Sequence, residues 1–77
     1  MSIHVKFLAA MRERMGRSED TVEVGSTATV ADIWARVSGD QPLPPSTLIA
    51  VNMEYTDANH EVKDGDEIAF LPPVTGG

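Results

Sequence analysis

Apolar and polar residues alternate at the start of the chain: in IHVKFL, Ile3, Val5 and Phe7 are separated by His4 and Lys6. A period of two predicts a strand with one buried face and carries Leu8 onto the opposite, outward face. AAMRERMG follows with good helix formers, Met11 and Met15 four apart on one side and Gly16 at the stop, which predicts a short helix. TVEV reads as a second strand, reached through a turn at Arg17-Ser18-Glu19-Asp20 and pairing with the first. The period then changes. In TVADIWARVSG, Val30, Ile33, Trp34 and Val37 fall at i, i+3, i+4 and i+7, one apolar stripe of a helix that must cover a sheet. Thr29 can cap this helix with Asp32 three residues on, and Gly39 lies just past its end. GDQPLPPST breaks regular structure through three prolines. TLIAVNM is continuously apolar and predicts a buried, central strand. KDGDEIAFLPP supplies a turn at Asp64-Gly65-Asp66 and a last strand with Ile68 and Phe70 inward and Leu71 outward.

Two strands, a covering helix and further strands in so short a chain describe an α+β domain: a mixed sheet with helices packed on one face. The ubiquitin-like β-grasp fold satisfies that description. The expected organisation is a β-grasp domain over residues 1–71 and an extended Gly-Gly tail over 72–77. If Phe7 and Phe70 face the helix, Leu8 and Leu71 face away from it on neighbouring strands. With Tyr55 they are expected to form an apolar patch suited to an interface.

Composition narrows the chemistry. The 77 residues allow one small domain, and 42% hydrophobic content suffices for one core, although a domain this short is expected to be marginal unless it packs on a partner. Cysteine is absent, which removes disulfides, thiolate metal sites and thiol catalysis. A formal charge of -6 with six Lys and Arg opposes binding to nucleic acid or anionic membranes and points to a basic partner surface. His4 and His60 have no thiolate companions and are expected on the surface, not on a metal. Asp64, Asp66 and Glu67 lack the twelve-residue spacing of a calcium loop and read as a solvated turn. The opening MSIHVKFLAAMRERM has no sustained apolar run, so neither a signal peptide nor a membrane span is expected and the cytoplasm is the expected compartment.

The chain finishes FLPPVTGG. Pro72 and Pro73 lack N–H donors and fix φ, so a ladder cannot continue past Leu71 and the chain is expected to leave the sheet extended. Gly76 and Gly77 carry no Cβ, which lets backbone thread a narrow channel and leaves the terminal carboxylate open to attack. VKDGDEIAFLPPVTGG, together with HVKFLAAMRERMG and TLIAVN, resembles the molybdopterin synthase small subunit, a ubiquitin-like sulfur carrier ending in Gly-Gly. The likeness spans nearly the whole chain and is weakest between Ser38 and Ser46.

The resemblance implies a non-catalytic, sulfur-donating subunit whose active site lies in a large subunit. On that resemblance no cofactor is expected on the chain itself, a ubiquitin-activating-like adenylyltransferase is expected to use ATP to adenylate Gly77, and a sulfur donor protein to convert it to a thiocarboxylate. Pro72, Pro73, Val74, Thr75 and Gly76 then enter the large subunit, with Leu71, Leu8 and Tyr55 at the interface, in an assembly of two small and two large subunits. Sulfur passes to cyclic pyranopterin monophosphate, and two deliveries form the molybdopterin dithiolene. A sulfur carrier for the thiamine thiazole, a protein modifier joined through Gly77, and an inert β-grasp interaction module are the alternatives.

Overall fold

The computed structural model describes residues 1–72. The elements run β1 (Ser2–Phe7), α1 (Ala10–Met15), β2 (Glu19–Glu23), α2 (Val30–Ser38), β3 (Leu48–Val51), β4 (Glu54–Thr56) and β5 (Glu67–Leu71). The strands form one mixed sheet of order β2-β1-β5-β3-β4. β1 and β5 are parallel, and each of the other neighbouring pairs is antiparallel.

The alternation in β1 has the expected result, with Ile3, Val5 and Phe7 buried and His4 and Lys6 exposed. On β5, Ile68 and Phe70 are likewise inside. Val30, Ile33, Trp34 and Val37 of α2 close over them, so the helix stripe and the sheet's inner face form one apolar cluster with Met11 of α1. Each such side chain contributes roughly 1.5–3 kcal/mol on full burial. The Trp34 ring meets Phe70 edge-on at 5.0 Å.

Local chemistry fixes where α2 starts and stops. Thr29 Oγ1 accepts the Asp32 N–H at 3.3 Å while Asp32 Oδ2 accepts the Thr29 N–H at 2.9 Å, a reciprocal capping box. Gly39 ends the helix in the left-handed region at φ 68, its N–H donating to the Ala35 carbonyl. Arg17 ties the C-terminal ends of α1 and α2 to the sheet. Its guanidinium donates to the Val37 carbonyl at 2.7 Å and the Met15 carbonyl at 3.2 Å, pairs with Asp20, and lies 5.2 Å from the Phe7 ring centroid.

Three expectations are corrected. The second strand starts at Glu19, not Thr21, because β1 pairs with Asp20 and Glu19 and draws them out of the turn. The central strand is β5; β3 is interior, between β5 and β4, which accounts for its continuous apolar run. The run TLIAVNM is not one strand, since β3 ends at Val51 and Asn52 and Met53 form a left-handed turn at φ 51 and 71 leading into β4. The proline-rich stretch has no regular structure, and Trp34 pins its start by donating its indole N–H to the Gln41 carbonyl at 2.8 Å.

Candidate partner-docking face

The sheet's second face carries no helix, and its register defines a candidate site. Lys6 lies opposite Ala69, Ala69 opposite Ala50 and Ala50 opposite Tyr55, one row across four strands. In the next row Leu71 lies opposite Leu48, and Leu8 follows the Phe7–Phe70 pair. The two alanines are too small to fill their rows, leaving a groove of about 320 Å³ floored by Ala50 and Ala69. Leu8 and Leu71 line one part, Met53 and Tyr55 another, and Lys6 and Glu67 complete the lining.

The structure therefore brings together the three body residues expected at an interface: Leu8 is 40% exposed, Tyr55 72%, and Leu71 half-buried. Leu8 is not itself a strand residue, since β1 ends at Phe7. It stays on the sheet because its N–H donates to the Phe70 carbonyl at 3.1 Å, extending the β1–β5 ladder by one bond. Ala9 then turns the chain sharply, at φ 51 and ψ -129, into α1. Pro72 follows directly on β5. The remaining expected site residues, Pro73, Val74, Thr75, Gly76 and Gly77, lie outside the described residues.

Electrostatically the groove is close to neutral. Lys6 Nζ and Glu67 Oε2 are 3.5 Å apart and both half-exposed, so the pair adds little stability but cancels charge beside the alanine floor. Beyond it, Glu19 and Glu23 of β2 lie opposite Lys6 and Ser2 and make the far half of the face acidic. Outside the groove, Asp66 anchors the β3–β4 turn by accepting the Asn52 side-chain N–H at 2.9 Å and the Lys63 backbone N–H at 2.8 Å. The Asn52 bond first, then the Lys63 bond and nearby His60 and Lys63 charge, outweigh desolvation and hold its carboxyl below the ordinary aspartate value.

Among the described residues no group of three or more His, Cys, Asp or Glu is arranged to hold a metal. A larger depression of about 430 Å³ on the solvent side of α2 is lined by Asp32, Arg36 and Asp40, but Asp32 is already engaged in the cap. The groove offers small, apolar and neutralised groups, a chemistry of recognition. Sequence reading missed Met53, Ala50 and Ala69. Strand parity from Leu71 would have found Ala69, whereas Met53 was hidden by reading the strand through it.

A five-stranded mixed sheet grasping a helix defines a ubiquitin-like β-grasp domain, with its open face as the candidate site. The chain belongs to the ThiS family, whose sequence model matches residues 5–77. It is 36% identical over 83 aligned residues to the molybdopterin synthase sulfur carrier subunit of Chlamydomonas reinhardtii, with 100% of both chains covered. In structure it is similar to SAMP1 from Haloferax volcanii, with a TM-score of 0.86 and 27% identity over 100% of both chains. It is also similar to a chain in the protein–protein complex of subunits 1 and 2 of molybdopterin-converting factor from Helicobacter pylori, with a TM-score of 0.69, 26% identity and 100% of both chains covered. The resemblance read from the sequence holds at the level of family and fold. Among the described residues, no helix is long and apolar enough to cross a membrane.

Proposed function

We propose that this chain is the sulfur carrier subunit of a molybdopterin synthase. The observation that carries the reading is the full-length similarity to a relative of that name, in a chain that retains VTGG after its last strand. The Gly77 carboxylate attacks the α-phosphate of ATP within an activating enzyme, releasing pyrophosphate and leaving an acyl-adenylate. Sulfide-level sulfur from a donor attacks the acyl carbonyl, forming the C–S bond as the C–O bond to AMP breaks and AMP leaves, which gives the thiocarboxylate. The thiocarboxylate sulfur then bonds to cyclic pyranopterin monophosphate in the large subunit, water cleaves the acyl–sulfur bond and returns the tail as the carboxylate, and a second loaded chain completes the dithiolene. The chain's part is positional. Pro72 and Pro73 have no N–H with which to continue a ladder, Gly76 and Gly77 have no Cβ to hinder attack at the terminus, and the groove beside Leu71 docks the body.

Intact-mass measurement of the chain co-expressed with its activating enzyme and sulfur donor tests this reading. A gain matching exchange of one oxygen for sulfur, lost on deletion of Gly77, is expected; no gain overturns it. Similarity to SAMP1, solved elsewhere under the name small archaeal modifier protein 1, favours a second reading in which activated Gly77 forms isopeptides. Higher-mass conjugates in the same co-expression would distinguish it.

A further inference from the structure

We infer that Met53 is a specificity-determining anchor of the docking face, its side chain seating in an apolar recess of the synthase large subunit. The inference rests on the reading of that face given above. Met53 is 92% exposed, the most exposed of the large hydrophobic residues among those described, and it is not part of the core cluster. Its backbone lies in the left-handed region at φ 71, following Asn52 at φ 51. Two successive residues of this conformation make the tight hairpin turn in which Asn-Gly is the favoured pair, and Asn52 conforms while Met53 does not. A large apolar side chain at a position suited to glycine costs stability and solubility, and Met53 is outside the core cluster whose packing could offset that cost.

The turn is nonetheless held firmly. Asn52 N–H donates to the Glu67 carbonyl at 2.8 Å, Glu67 N–H donates to Asn52 Oδ1 at 3.0 Å, and the Asn52 amide donates to Asp66 at 2.9 Å. Met53 is thereby presented at the groove that Leu71 also lines, continuous with the point where β5 ends and Pro72 begins. The neutral Lys6–Glu67 pair leaves the lining without net charge, which suits an apolar partner surface. An unbranched thioether adapts to such a recess, and removing it forfeits apolar burial in the complex alone.

Met53→Gly and Met53→Leu separate this role from a structural one. Calorimetric titration of each against the cognate large subunit, beside Leu71→Asp and thermal melting of each free chain, decides it. Met53→Gly is expected to bind about fivefold or more weakly while melting at or above the wild-type temperature, and Met53→Leu to bind within about twofold of wild type. Wild-type affinity for Met53→Gly overturns the inference, as does equal weakening in both Met53 variants or a lowered melting temperature for the glycine variant. Dimerisation of the free chain that Met53→Gly abolishes without changing large-subunit affinity would assign Met53 to self-association and overturn it too. Weak binding by Leu71→Asp alone would leave the docking face standing without Met53, whereas wild-type binding by all three would remove the face itself.

Discussion

Phe7 and Phe70 lie opposite one another across the parallel β1–β5 pair, both buried, with ring centroids 6.2 Å apart and planes 17° from parallel. Their shared position on the inner face sets the parity of the outer one, so the residues that follow, Leu8 and Leu71, both line the open groove.

Leu71→Asp should therefore weaken association with the proposed large subunit by about tenfold or more, since it forfeits part of the roughly 1.5–3 kcal/mol of leucine burial and adds the cost of desolvating a carboxylate. Thermal melting of the free chain should change little, because Leu71 is outside the core cluster. Calorimetric titration checks the first expectation. A collapse in melting temperature would place Leu71 in the core instead.

Gly76→Val tests the tail. On the proposed reading, in which the tail threads a narrow channel of the large subunit, a β-branched side chain restricts the backbone and obstructs that path, so sulfur transfer should be lost while the body melts as before. Reconstituted molybdopterin formation with a preloaded carrier is the measurement, and wild-type turnover would argue for an open path.

Arg17→Lys should destabilise the domain by about 1–3 kcal/mol despite keeping the charge. An ammonium cannot serve the Val37 and Met15 carbonyls and Asp20 together while stacking on Phe7, as the guanidinium does. Chemical denaturation read through Trp34 fluorescence would show the shift in midpoint.

Acid should weaken the turn that presents Met53. Asp66 binds its proton less readily in the folded chain than in the unfolded one, so its contribution is complete above the ordinary aspartate value near pH 4 and fades as pH falls through the depressed folded value. Asp66→Asn should lose that contribution at neutral pH and show a flatter fall in melting temperature below about pH 4. Parallel pH profiles for the two proteins would contradict it.

The elements with strong periodicity were legible from sequence. Ile3, Val5 and Phe7 announced a strand, and Val30, Ile33, Trp34 and Val37 a helix, because each pattern had a single face to bury. The position of β5 was not, since its outward residues Glu67, Ala69 and Leu71 read as a half-exposed strand although pairing on both sides makes it central. Strand order depends on long-range pairing, which no local pattern encodes. Leu8 and Leu71 could be foreseen as one patch from parity, with Tyr55 added although its strand was not bounded by the sequence, but the groove between them depends on two alanines meeting across β3 and β5. Met53 escaped notice because Asn-Met is a poor advertisement for a turn that usually takes Asn-Gly.

The parallel pairing of β1 with β5 has a mechanical consequence. β5 is laced to β1 on one side and to β3 on the other, so load applied from the C-terminal side meets two ladders in shear and cannot peel an edge strand away. Its amides should be among the slowest to exchange with solvent, opening only when the whole domain opens. If the proposed carrier role holds, a terminus drawn into one enzyme and released to another would be tethered to the strand least able to come loose.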